Sequence, residues 1–167
     1  IIVVFILISL LGCFFYLYHD GSNQLGKEKL PVIIGDSWGY YFYLPYYLIN
    51  YDEIPVERLF SESDLDTTGN KYNIGVSVLT LPFFLVAHLL SFIFKFPLDG
   101  YSYFYQIFGG LSGLFYGFTG ILVLRKILNR YFPEKVVVVS LLSIAFGTSF
   151  FHYATSNPLV SHSFSFF

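Results

Sequence analysis

Charge is scarce in this sequence: 12% of its 167 residues are Asp, Glu, Lys or Arg, against about 25% in a water-soluble domain. Methionine is absent, and the single cysteine, Cys13, lies in an apolar run with no second thiol to pair with. A secreted disulfide scaffold is thereby excluded. A disordered tail is excluded as well, because 55% hydrophobic residues, 22% aromatics and a mean hydropathy of +0.63 describe a chain that must bury or embed most of its surface. The net charge of −2 gives no electrostatic ground for binding nucleic acid. What is present in abundance is apolar run, and the composition is that of an integral membrane protein.

The fold class expected is all-α, a polytopic bundle of transmembrane helices. Residues 1–18 are uncharged, and at roughly 1.5 Å per residue they cover about 27 Å, close to the hydrocarbon thickness. They read as span one. A signal peptide is the competing reading, and the bulky stretch Phe14 to Tyr18 opposes it where a cleavage site needs small residues. The sequence opens inside one apolar run without Met and closes inside another, so it is expected to be the N-terminal piece of a longer membrane protein.

From His19 to Tyr72 the composition changes, with nine of the eleven acids and Pro31, Pro45 and Pro55. Residues 19–73 are expected to form one extracytoplasmic loop, and a connection of about 54 residues without regular structure is uncommon enough to mark function. Between Trp38 and Tyr51 the loop is packed with aromatics. Such rings suit the headgroup boundary, so the loop is expected to carry interfacial helices. Beyond it, residues 74–96, 99–125 and 136–154 are apolar, and another apolar stretch occupies 158–167.

Arg125, Lys126, Arg130 and Lys135 crowd one short connection, 126–135 with its flank, which the positive-inside rule assigns to the cytoplasm. Segment 99–125 then runs from outside to inside, and 136–154 returns. If span one starts in the cytoplasm, 74–96 cannot cross completely without reversing everything after it. Either span one is inverted and the loop is cytoplasmic, or 74–96 lies along the outer face or re-enters it. Pro82, His88, Lys71 and Lys95 fit an interfacial or re-entrant segment, and the acid-rich loop is not attracted to an anionic cytoplasmic leaflet. On the helix at 99–125, Gly109, Gly113 and Gly117 recur every fourth residue and give a smooth stripe for close backbone approach.

The chemistry is expected in Gly35-Asp36-Ser37-Trp38, where a carboxylate precedes the aromatic segment. At a membrane boundary a carboxylate is partly desolvated and becomes a stronger proton acceptor than in bulk water. Asp36 is therefore a candidate base; the competing reading makes it a helix cap, its oxygens on free backbone N–H groups. Asp52 and Glu53 offer a second carboxylate site, or simply a solvated loop pair. Lys71 can bind phosphate as a point charge or snorkel to the interface. Asp99, His152 and His162 gather on the same outer face, and ionisable groups beside apolar runs usually face a cavity or a bundle interior. No spacing resembles a metal site, and no cofactor is expected, although the acids are compatible with a divalent metal.

Asp36 with its tyrosines, then Lys71-Tyr72-Asn73-Ile74-Gly75, Leu81-Pro82-Phe83-Phe84-Leu85-Val86-Ala87-His88 and Asp99-Gly100-Tyr101-Ser102, resemble bacterial GT-C glycosyltransferases. These polytopic enzymes include protein O-mannosyltransferases and lipid A aminoarabinose transferases. The resemblance rests on feature order and short degenerate motifs. It implies Asp36 as the catalytic carboxylate, a non-spanning 74–96, and sugar transfer from a polyprenyl-phosphate donor to a glycan, lipid or protein acceptor. It also implies the bacterial inner (plasma) membrane, with the active site extracytoplasmic. Tyr40, Tyr41, Lys71 and His162 are expected to line the substrate site, and Asp52 or Glu53 to supply any second acid. Many relatives place Asp-Glu together, whereas Ser37 follows Asp36 here. The alternative function is a transporter or flippase for a lipid-linked or small polar substrate.

Overall fold

The computed structural model of the chain describes residues 32–33, 35–49, 70–165 and 167. Every regular element among them is a helix: α1 (Asp36–Tyr41), α2 (Tyr43–Leu48), α3 (Gly75–Phe94), α4 (Tyr103–Leu128), α5 (Glu134–Gly147), α6 (Phe150–Ser156) and α7 (Ser161–Ser165). Span one, Asp52 and Glu53 lie outside the described residues.

The framework is the hairpin of α3 and α4. Both sequences are apolar nearly throughout, and both helices are long and apolar enough to cross a membrane. A helix suits that setting because it satisfies its own backbone where no water can. Phe94 packs on Phe104, His88 meets Tyr105, Thr80 meets Ser112, and the Tyr116 hydroxyl reaches the Leu79 carbonyl. Residue numbers fall along one helix as they rise along the other, so the pair is antiparallel and α3 follows the axis of α4. Segment 74–96 is thus a single helix, with Pro82 inside it.

The turn between them is closed by Lys95 in the left-handed conformation, φ 58°. Its N–H donates to the Phe92 carbonyl and the Phe96 N–H to that of Ser91, the paired bonds of a Schellman ending. Asp99 then accepts from the N–H groups of Tyr101 and Ser102, each at 2.8 Å, and sets the entry into α4. At the far end Arg125 and Lys126 occupy the last turn of α4, where cations oppose the helix dipole. Arg125 meets Glu134, in the first turn of α5, at 3.4 Å. An exposed pair of this kind contributes under about 1 kcal/mol.

The segment expected as one span over 136–154 is divided. Helix α5 ends at Gly147, and α6 departs at 58°. Thr148 sits at the break with an extended backbone, φ −120° and ψ 175°, and its hydroxyl donates to the Ile144 carbonyl at 2.6 Å and accepts from the Phe150 N–H at 3.2 Å, bridging the two helices. The bend brings Phe150 and Ala154 onto Ile121 and Ala145.

Gly109, Gly110, Gly113 and Gly117 of α4 are covered by α6, by the turn between α6 and α7 and by the residues before α1. Leu159 lies over Gly109, Val32 and Pro158 over Gly110, the Pro158 carbonyl over Gly113, and Phe150 over Gly117. The close approach expected of the stripe is present, with a turn rather than a straight helix as the partner. Above it the main core joins Val32, Ile33, Tyr41, Leu44, Phe84, Ala87, Tyr105 and Leu159.

Two substitutions on this stripe should differ in sign. A methyl at Gly113 would overlap the Pro158 carbonyl, whereas one at Gly110 meets Val32 Cγ1 at 3.6 Å, an ordinary contact. Gly113→Ala is expected to cost about 2 kcal/mol by overpacking, and Gly110→Ala to be neutral or to gain up to about 1 kcal/mol of helix propensity. Thermal unfolding in detergent micelles reads both. Lys95→Gly should raise stability by about 1 kcal/mol in the same assay, because glycine removes the left-handed penalty at an exposed position.

Candidate functional site

Helix α1 starts directly on Asp36. The residue before it, Gly35, is the N-cap at φ 54° and no side chain caps the helix, so the capping role considered for Asp36 is not the one it plays. Its carboxylate is exposed and accepts a hydrogen bond from the Tyr72 hydroxyl.

Tyr72 is held from several directions. Its N–H donates to Asn70 Oδ1 at 3.1 Å, and Asn70 Nδ2 donates to the Gly39 carbonyl at 2.7 Å. The Tyr43 hydroxyl donates to the Tyr72 carbonyl at 2.7 Å. The ring lies against the backbone of Gly39, which has no Cβ to block it, and makes an edge contact with Tyr40 at 4.7 Å between centroids. The Lys71 ammonium stands over the same ring, 5.1 Å from its centroid, within cation–π range. Asp36 and Lys71 are therefore brought to one ring, the first at its hydroxyl and the second over its face.

Tyr40 links this cluster to α7. Its hydroxyl donates to Ser161 Oγ at 3.1 Å, and its carbonyl accepts from the Ser77 hydroxyl at the start of α3. The neighbour of Ser161 is His162, which is exposed and lies tilted against Tyr153 at 4.3 Å between centroids, a ring that also meets His152 edge-on.

Tyr41, expected to line the substrate site, does not. It is 1% exposed, and its hydroxyl donates to the Gly100 carbonyl at 2.8 Å. Neighbouring residues on a helix point about 100° apart, so when Tyr40 faces the cluster Tyr41 faces the core. Burial, reinforced by Tyr101, Tyr105 and Asp99, pushes its phenol well above the usual value, and it stays a donor. His88 also has a structural partner, the Tyr105 hydroxyl at 2.6 Å. Asp52 and Glu53 fall outside the described residues. Among those residues no three His, Cys, Asp or Glu side chains converge as a metal site.

The expected residues thus divide. Asp36 and Lys71 share a ring, Tyr40 touches that ring and bonds Ser161, His162 stands apart against Tyr153, and Tyr41 is in the core. Sequence reasoning missed Tyr72, Asn70 and Gly39. The run Asn70-Lys71-Tyr72 was visible, but only the lysine carried an obvious charge. Compared with known families, curated proteins and solved structures, the chain matches none.

Gly39→Ala tests the cluster without touching the core. The added methyl would overlap the Tyr72 ring, so the ring must leave Asp36. The adjacent Trp38 is the chain's only tryptophan. Its emission and the near-ultraviolet circular dichroism are expected to change while far-ultraviolet helicity stays the same.

Proposed function

We propose that this chain serves a membrane glycosyltransferase that moves a sugar from a polyprenyl-phosphate donor to an acceptor hydroxyl on the extracytoplasmic face. The observation that carries the reading is the cluster itself: an exposed carboxylate released from capping, with an ammonium on the ring that binds it, beside two helices able to cross a membrane. A lipid-linked donor diffuses laterally, so its phosphate can approach such a cluster from the bilayer.

In the reaction the acceptor oxygen attacks the anomeric carbon and its proton passes to Asp36. The bond from that carbon to the phosphate oxygen breaks, and polyprenyl phosphate leaves with the electron pair. Lys71 offsets the charge that develops there. A single displacement inverts the anomeric centre. In this reading Tyr40 and His162 bind the sugar or the acceptor. Because α3 runs antiparallel to α4, the cluster before α3 lies toward the same end of the hairpin as the cation-rich turn at 125–135, so this reading puts that end on the extracytoplasmic side, against the positive-inside expectation.

The break between α5 and α6 favours a second reading, a transporter or flippase, because discontinuous helices build binding sites in such proteins. One experiment separates the two. Proteoliposomes are supplied with lipid-linked sugars extracted from bacterial membranes, and both sugar transfer and donor translocation are followed. Asp36→Asn is expected to lower transfer by a factor of about 10² to 10⁴ while leaving expression and donor binding near normal. Full transfer in Asp36→Asn overturns the assignment, and translocation without transfer supports the second reading.

A further inference from the structure

We infer that Tyr72 is a positioning residue that holds the Asp36 carboxylate and the Lys71 ammonium at a fixed separation, so that base and cation face one bound phosphate-linked substrate. The roles of the two charges rest on the transferase reading; the fixed separation does not.

Neither charge is fixed by its own surroundings. Asp36 and Lys71 are both exposed, and exposed long side chains ordinarily sample many rotamers. Tyr72 supplies the missing constraint. Its hydroxyl bonds one group and its ring face carries the other. A tyrosine has two torsions, and here backbone and ring are both held. Asn70 and Tyr43 hold its N–H and carbonyl, and Gly39 and Tyr40 hold its ring. Asn70 adds a cross-brace by donating to the carbonyl of Gly39, so the segment leading into α3 is tied to α1 at the level of the cluster. The ring acts as a rigid spacer between a carboxylate at its polar edge and a cation on its π face.

This arrangement also divides the work of the ring. The hydroxyl serves Asp36, and the ring face serves Lys71. Tyr72→Phe should therefore release the carboxylate and keep the ammonium in place. A residue that merely stabilised the fold would affect both groups together.

The test has two arms, each on the full chain in lipid nanodiscs. In the first, Cys13→Ser removes the native thiol and Lys71→Cys introduces one at the site. The rate of modification by a cationic methanethiosulfonate is divided by that of an anionic one. With Tyr72 present this ratio is expected to exceed the Asp36→Asn value by about fivefold, the size of one unit charge acting across roughly a ring's width in water. Adding Tyr72→Phe is expected to bring the ratio most of the way to the Asp36→Asn value. In the second arm decaprenyl phosphate is the probe: Lys71→Gln should weaken its binding about tenfold, and Tyr72→Phe by less than about twofold, since the ring face persists.

An unchanged charge ratio in Tyr72→Phe overturns the positioning role. So does equal loss of decaprenyl phosphate binding in Tyr72→Phe and Lys71→Gln. If the unsubstituted chain does not bind the probe at all, the transferase reading fails, and the first arm still decides whether Tyr72 sets the separation of the two charges.

Discussion

The approach of Gly113 to the carbonyl of Pro158, too close to admit a methyl group, is the contact on which the rest of the described architecture depends. It seats the turn between α6 and α7 directly on α4 and drives Leu159 to complete burial among Val32, Tyr105 and Phe84. With Leu159 fixed, Ser161 comes within reach of Tyr40, and α1 is tied to α7 as well as to α3. A side chain at position 113 would lift the turn and, with it, the hydrogen bond from Tyr40 that joins α1 to α7. Packing in a membrane protein has to come from such close contacts, because lipid tails offer apolar side chains as good a neighbour as another helix does.

A second constraint is polar. An unsatisfied hydrogen-bonding group is expensive in an apolar interior, and the polar groups described here are largely spent on joining segments. Gln106 accepts from the Ile33 N–H through Oε1 and donates to the Tyr101 carbonyl through Nε2, so one side chain fastens residues 32–33 to the start of α4. Ser112 meets Thr80 across the hairpin at 3.3 Å and donates to the Gly109 carbonyl of its own helix at 2.6 Å. These buried bonds fix register where the apolar contacts would tolerate sliding. Asp36, Lys71 and His162 are exposed instead, so these three are not the groups that hold the helices together, whereas Tyr40 also joins α1 to α3 and α7.

The helices α3 and α4 were legible because each is a long apolar run between polar punctuation, and the glycine period announced a close contact. Its partner was not legible: nothing in the spacing of 109, 113 and 117 says whether a helix or a turn will lie upon it. The division of 136–154 was hidden for a related reason. Gly147-Thr148-Ser149 can continue a helix, and the extended backbone of Thr148 that ends it is visible only in the fold. In the candidate site Asp36 was conspicuous as a lone carboxylate before a run of rings. Tyr72 was not, because 36 residues separate the two and no local period connects them. Tyr40 and Tyr41 looked equivalent until the core claimed one of them.

The abundance of tyrosine has a mechanical explanation that reaches beyond the membrane boundary. Three phenols donate to distant backbone carbonyls: Tyr41 to Gly100, Tyr43 to Tyr72 and Tyr116 to Leu79. A phenol reaches farther than serine or threonine, buries a large apolar ring on the way, and has only two torsions to freeze, so it joins distant segments at low entropic cost. Phenylalanine in these positions would keep the burial and lose the direction. Tyr72 extends the same device to the exposed surface, where the partner is a carboxylate rather than a carbonyl. What elsewhere serves to fasten the chain serves there to aim a charged group, and the fold and the candidate chemistry use one kind of side chain for both.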